Sequence, residues 1–538
     1  MIENHRNDAL TSVLAAWSEV LEISQSDGRV NFFEAGGDSL SAAQAVGLLA
    51  KLGYATSLAD LFEHPIAEEF AAELSRVAEP GVGAGGPEGG ELSQPVAELT
   101  GSPPSFSQLE RLELEEESAR SGLPVPRDVM IRVYRVGQPL DFGLLRRSVK
   151  TVLQRHPVLR TFFRKVDGDW KRLLHGSEII PVQRSFAAAH RLDAAIAATL
   201  RHEFDLCAAP LFRVTYIETD DGHGAIVFLL HHILADAWSL GLVMRDVSAG
   251  YRTHTPESHA RATKGPVFDD VVAAEESSLT PGVLAERLSY WRTVLGEAGP
   301  RPGVSLRGLP PRPPRQTYLA RSEVVEISAA RSARLGHAAR DLQTTPTMLM
   351  AAALQLVLLH RGLPGSLPPR LFITYLNREK EEWSDVVGPL FDALPFAPDL
   401  SSATSRAKVA RAVTRSWSAT LAHKVPYALL ARELQPDSHA AVPMRPFVIL
   451  NMLEGVPPEP DLELPGVDTA RVPLSHDIAF PGLTFTTERA EGGGRTLGLR
   501  YEADWLEPSH ARELLQEWLD WTGWLSGESS KPVQAGDG

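Results

Sequence analysis

The chain has 538 residues, more than one core gathers at roughly 100–200 residues per domain, so about two to four folded units are expected. Its composition, 43% hydrophobic and 22% charged, excludes global disorder. The formal charge of -15 argues against nucleic acid or an anionic membrane as the main partner, since both need a basic footprint.

The excess acid is concentrated at the front. Met1–Ala78 holds 12 Asp and Glu against 4 Lys and Arg, which suits a small unit that docks on basic partners. Within it, Leu10, Val13, Leu14, Trp17, Val20 and Leu21 recur at helical spacing, and this stripe needs a small bundle to pack against. Gly36-Gly37-Asp38-Ser39-Leu40 opens a second helix, with Asp38 or Ser39 available as its cap, and Pro65 begins another that carries Ile66, Phe70 and Leu74. From Glu79 to Pro104 the sequence turns to Gly, Pro, Ser and Glu, too poor in apolar side chains to order itself, and a flexible linker is expected over 79–100. Beyond it, helical patterns alternate with strands at Ala225–Leu230, Leu371–Tyr375 and Leu483–Thr487, the pattern of an α/β or mixed unit. Pro300–Arg315, rich in Pro and Arg, reads as a surface connection dividing that unit into two lobes, and the last helix sets Leu514, Trp518, Trp521 and Leu525 on one face. The longest apolar stretch, Met348–Leu359, has 12 residues with Gln355 among them, short of the roughly 20 that span a bilayer. The start of the chain has no signal-peptide pattern, and Cys207 is the single cysteine, so a cytoplasmic location is expected.

Two segments carry chemistry. In Phe32-Phe33-Glu34-Ala35-Gly36-Gly37-Asp38-Ser39-Leu40 the glycines permit a tight turn, and Ser39 at a helix start would present its hydroxyl beside the positive end of the helix dipole. Taken alone, such a turn is equally an ordinary N-cap. In the second segment, the apolar run Gly224–Leu230 empties into His231-His232-Ile233-Leu234-Ala235-Asp236-Ala237-Trp238-Ser239. Adjacent histidines on extended chain point to opposite sides, so they are poor ligands for one metal. One is expected to face a cavity and the other the interior.

The first segment resembles the attachment site of peptidyl carrier proteins, with Trp17–Leu21 upstream and Leu58–Glu69 downstream in the family's order. That likeness implies a four-helix carrier over 1–78 with 4′-phosphopantetheine on Ser39, attached by a phosphopantetheinyl transferase and loaded by an upstream adenylation domain. The second resembles the HHxxxDG signature of condensation domains of nonribosomal peptide synthetases, relatives of chloramphenicol acetyltransferase. Ser105–Leu112, Arg155–Phe163, Pro266–Val272, Val387–Pro395 and His423–Leu430 are similar to further motifs of that family, in order. The likeness implies a two-lobed α/β condensation domain over 101–530, with lobes near 101–295 and 296–530 and a tunnel between them.

By the same likeness, His232 stands beside the acceptor amine and the thioester carbonyl, either taking a proton or orienting the amine. Asp236 is structural and needs a cationic partner, for which Arg155 is the first candidate and Arg160 and Arg378 the alternatives. His231 and Ser239 are expected to hold the loop, and His156 and His423 to serve packing or hydrogen bonding. Ala237 replaces the family's usual glycine, Asp392 a common Asn, and Ala274 a common Trp. The expected reaction is amide formation between the donor on Ser39 and an amine on a downstream carrier or free in solution, by a monomeric chain. Epimerisation of the carrier-bound residue and a non-catalytic recruitment platform are the alternatives. Leu240 stands where epimerases typically have Trp, which favours condensation.

Overall fold

The computed structural model describes residues 2–21, 27–33, 35, 37, 39–52, 54–56, 60–61, 64–76, 101–122, 127–252, 265–296, 299, 304–313, 316–363, 370–400, 403–434, 447–452, 460–473 and 482–530. The linker expected over 79–100, and Glu34, Gly36 and Asp38 of the front motif, lie outside them.

In the front unit, α1 (Ile2–Leu21), α2 (Ser39–Lys51) and α3 (Ala67–Glu73) enclose Val13, Trp17, Phe32, Leu49, Leu61 and Phe70, all fully buried. A further helical turn at Asp60–Leu61 fits a four-helix bundle, and β1 (Tyr54–Ala55) pairs antiparallel with β2 (Ser75–Arg76). The Trp17 ring meets Phe32 edge-on at 5.0 Å and stacks on Phe70 at 5.9 Å, which fixes α1 against the motif and α3. Phe32 also explains Gly37: a Cβ there would come 2.3 Å from the Phe32 ring. Gly37 is thus kept free of a side chain by the core beneath it. Ser39 is the first residue of α2, and α2 approaches the 3-10 turn Glu381–Trp383 of the larger unit.

The larger unit begins with α4 (Phe106–Ser121), β3 (Val129–Val136), α5 (Phe142–Arg155), β4 (Thr161–Val166), β5 (Asp169–Leu174), β6 (Val182–Ala187), α6 (Leu192–Leu200), β7 (Phe212–Thr219), β8 (Gly224–His231), α7 (Ala237–Arg252), α8 (Phe268–Ser278) and α9 (Pro281–Leu295). It continues with β9 (Ala320–Ile327), α10 (Ala329–Asp341), α11 (Pro346–His360), β10 (Leu371–Tyr375), β11 (Asp392–Phe396), α12 (Arg406–Ala422), α13 (Tyr427–Leu434), β12 (Phe447–Met452), β13 (Thr469–Arg471), β14 (Gly482–Arg489), β15 (Arg495–Glu502) and α14 (Pro508–Leu525). Two sheets form, in the orders β13-β3-β8-β7-β6 and β11-β10-β12-β14-β15-β9.

Strand β8 is buried along its whole length because both of its faces are covered. Ile226, Phe228 and Leu230 pack with Leu145, Val149, Val243 and Val247 of α5 and α7, while Ala225, Val227 and Leu229 pack with Leu192 and Ile196 of α6. At about 1.5–3 kcal/mol for each buried Leu, Ile or Phe side chain, the strand is a firmly packed base for the loop that follows it. The apolar run Met348–Leu359 is the core helix α11, packed against α14, where the Trp518 indole donates to the Met350 carbonyl at 2.9 Å. Among the described residues no single helix is long and apolar enough to cross a membrane.

Two features go beyond chain order. The Pro/Arg-rich stretch is anchored in the second lobe, with Leu306 buried and bridged to Gly362, although residues 300–303 and 314–315 lie outside the described residues. The second half of the chain also returns to the first lobe: β13 adds to the edge of β3, and Trp383, Val386, Val387, Leu390, Leu462 and Leu464 join the core beneath β8.

Candidate active site

Strand β8 ends at His231, the chain makes a 3-10 turn at His232–Leu234, and α7 starts at Ala237. Ala237 does not enter the left-handed backbone region, so the absence of glycine there costs nothing. The two histidines diverge as expected from an extended segment. The His231 backbone N–H donates to the Leu211 carbonyl at 3.0 Å, on the β7 side, and that of His232 donates to the Asp128 carbonyl at 2.9 Å, on the β3 side.

His231 is buried, and its Nδ1 accepts the Ile233 N–H at 3.1 Å, which leaves the ring proton on Nε2. Burial pushes this imidazole down to about 3, so it is neutral at physiological pH and serves as a fixed support of the turn. His232 is partly exposed and meets the Phe391 ring edge-on at 5.1 Å. Phe391 precedes β11 in the second lobe, so the imidazole sits at the seam between the lobes.

Asp236 is buried and fully engaged. Its carboxylate accepts from the Ser239 N–H at 2.8 Å, from Arg378 Nη2 at 3.1 and 3.2 Å, and from the Leu390 N–H at 3.2 Å. Arg378, its side chain 3% exposed, also donates through Nη1 to the carbonyls of Trp383 at 2.7 Å and Val386 at 2.8 Å. Its guanidinium lies 5.2 Å from the centre of the Trp238 ring. Ser239 Oγ donates to the Gly388 carbonyl at 2.8 Å and accepts from Arg378 Nη2 at 3.0 Å. Gly388 has no room for a side chain, since a Cβ would lie 2.3 Å from the Phe268 ring.

The expected partner of Asp236 is therefore corrected. Arg155 pairs with Asp246 of α7 at 3.0 Å, where His156 Nε2 also bonds at 2.8 Å, and Arg160 donates to the carbonyls of Leu153 and His175. Both arginines brace the first lobe behind the site, and Arg378 alone of the three candidates reaches the motif. Its planar fork matches the demand, because one group must satisfy a carboxylate and two carbonyls at once. His423 bonds the Ala419 carbonyl and stacks on Tyr290 at 4.0 Å, a packing role like that of His156.

Three residues near the turn were not anticipated as site residues. Gln108 closes a capping box with Ser105 at the start of α4, and its Nε2 donates to the Ile233 carbonyl at 3.0 Å. The Ser-x-x-Gln spacing announces the cap, and nothing in it announces the second bond. Arg111, one helical turn on, lies 3.7 Å from the carboxylate of Asp128. Asp392 opens β11, with its oxygens accepting the N–H groups of Ala393 at 2.8 Å and Tyr427 at 3.0 Å. Burial, reinforced by Glu275 and Glu110, pushes its carboxyl up to about 7.

Comparisons with known proteins identify the family. The family model "Condensation domain" matches residues 129–461, and the model "Phosphopantetheine attachment site" matches residues 11–74. A linear gramicidin synthase of Brevibacillus parabrevis is 29% identical over 80% of this chain, and the probable non-canonical nonribosomal peptide synthetase CymA of Salinispora arenicola is 28% identical over 84%. The chain spans 8% and 6% of those two proteins, respectively. In fold it is similar to the X-domain from teicoplanin biosynthesis, with a TM-score of 0.66 and 20% identity across 82% of this chain and 97% of that one. The chain belongs to the condensation-domain family, joined behind a phosphopantetheine carrier unit of the nonribosomal peptide synthetase type.

Proposed function

We propose that this protein is an acyltransferase that forms an amide bond, with Ser39 carrying the donor and His232 serving the acceptor amine. The observation that carries the reading is His232. It is a partly exposed imidazole on a turn that is locked from below by neutral His231 and from the second lobe by the Asp236–Arg378 pair. A site held this rigidly places its base without further ordering, which is where much of the rate gain of a bound reaction lies.

The front unit fits 4′-phosphopantetheine. Ser39 is the first residue of α2, a helix N-terminus attracts an anion, and Gly37, two residues earlier, is held against the Phe32 ring. When attached, the arm would supply the donor as a thioester, with its thiol as the leaving group. His232 accepts the proton that the amine loses and returns it as the thiol departs. The residues of the Asp236–Arg378 network hold the turn and take no part in bond making. An adenylation domain upstream, a phosphopantetheinyl transferase, and a downstream carrier or soluble amine are the partners this chemistry requires.

His232→Ala is expected to reduce amide formation by about 100-fold or more, while mass spectrometry still finds the arm and its donor on Ser39. Wild-type turnover in that variant would overturn the assignment. Incubation in deuterated buffer separates the epimerase alternative, since α-carbon exchange without amine-dependent product would replace this reading.

A further inference from the structure

We propose that Gln108 is a positioning residue for His232, its amide setting where the turn His232–Leu234 stands at the seam between the lobes. The inference rests on the reading of His232 as the group that serves the acceptor amine. Gln108 is 1% exposed and divides its side chain between two tasks. Its Oε1 accepts the Ser105 N–H at 3.1 Å, which completes the cap of α4. Its Nε2 donates to the Ile233 carbonyl at 3.0 Å, 125 residues further along the chain. The two bonds together fix which end of the amide faces which partner, because an N–H needs an acceptor and a carbonyl needs a donor.

The other bonds of the turn are local to the strand end. The His232 carbonyl accepts the Ala235 N–H at 3.3 Å, the Ile233 N–H goes to Nδ1 of His231 at 3.1 Å, and the His232 N–H goes to the Asp128 carbonyl at 2.9 Å. These bonds move with β8 and β3, and a 3-10 turn has poorer hydrogen-bond geometry than an α-helix, so they leave the turn room to tilt. Gln108 ties it to a different element. Helix α4 is itself held by the second half of the chain: Phe106 packs against the cluster of Leu288, Trp291, Leu429 and Leu430, and Glu113 accepts from Arg432 at 2.7 Å. The second lobe also presents the Phe391 ring to His232. Gln108 therefore refers the imidazole to the wall that it faces. Because a misplacement of about 1 Å can cost a reaction about 10²-fold, one buried bond at this point is enough to set the rate.

The test separates the two tasks of the amide in the full, donor-loaded chain. Gln108→Glu keeps an acceptor for the Ser105 N–H, the other pairing that a capping box allows, but an ionised carboxylate has no N–H for the Ile233 carbonyl. Ser105→Ala removes the hydroxyl that receives the Gln108 backbone N–H and leaves the bond to Ile233 in place. Gln108→Met, of similar length and uncharged, loses both side-chain bonds. Gln108→Glu and Gln108→Met are expected to lower kcat about tenfold with KM for a soluble amine unchanged. Hydrogen exchange over residues 231–235, read by mass spectrometry, should quicken in both. Ser105→Ala should lower the melting temperature while kcat and that exchange stay as in the wild type. A loss of kcat in Ser105→Ala equal to that in Gln108→Glu would reduce Gln108 to a helix cap and overturn the inference, as would wild-type kcat and exchange in Gln108→Glu. Should that variant not fold, Gln108→Met set against Ser105→Ala gives the same decision. A wild-type chain that forms no amide with any amine would instead defeat the proposed function, and exchange over residues 231–235 in Gln108→Glu would still decide whether Gln108 holds the turn.

Discussion

Single side chains here make claims that titration can check. His231 has an ordinary value of 6.5 and lies at about 3 in the folded protein, so as the pH falls the unfolded chain binds the proton first. The stability present above 6.5 is therefore lost on the way down to 3, at up to about 1.4 kcal/mol per pH unit. Urea midpoints across that window are expected to be flatter for His231→Asn than for the wild type, because the amide oxygen can accept the Ile233 N–H without titrating. Asp392 runs the other way. Its carboxyl rises from 3.8 to about 7 in the folded state, so stability is full below 3.8 and drains as the pH climbs toward 7. Asp392→Asn loses an acceptor for one of two backbone N–H groups and is expected to be the less stable protein in acid, with the gap closing as the pH approaches 7. Chemical denaturation at several pH values measures both. Both histidines of the motif were legible in the sequence because alternation along extended chain is a local rule. The arginine that pairs with Asp236 was not, since it lies 142 residues away and spacing does not rank Arg155, Arg160 and Arg378.

Between elements, the Asp236–Arg378 pair ties the start of α7 to the segment that leads into β11. Asp236→Asn leaves a guanidinium that is 3% exposed without its counter-charge, and a loss of about 3–5 kcal/mol is expected in denaturant unfolding. Hydrogen exchange at residues 383–390 should quicken in that variant, since Leu390 loses its acceptor. Strands with a strong apolar signature were readable: Leu371–Tyr375 is β10, Ala225–Leu230 lies within β8, and Leu483–Thr487 lies within β14. The helices announced by stripes are equally clear, and α14 buries Leu514, Trp518, Trp521 and Leu525 as its spacing required. Strand β13 was invisible for a physical reason. It has three residues, Thr469–Arg471, with two of them exposed, and it exists only because β3 offers an open edge. Strand β9 is also an outer strand, with Val324 60% exposed, so its pattern lacks the alternation of a half-buried one.

For the whole molecule, chain order and spatial order diverge, and that is where reading from sequence stops. Two lobes follow from the Pro/Arg-rich break, but the packing of Trp383, Val386, Leu390, Leu462 and Leu464 under β8 depends on contacts across more than a hundred residues. Strand β13 is the clearest case, and Gln138 clasps Asp468 beside it with two hydrogen bonds of 2.7 Å. Parting the lobes would mean peeling that strand away and breaking the clasp. The two halves are thus stitched together at a second place besides the chain that runs from one to the other, so a cut at the Pro/Arg-rich break would leave them attached.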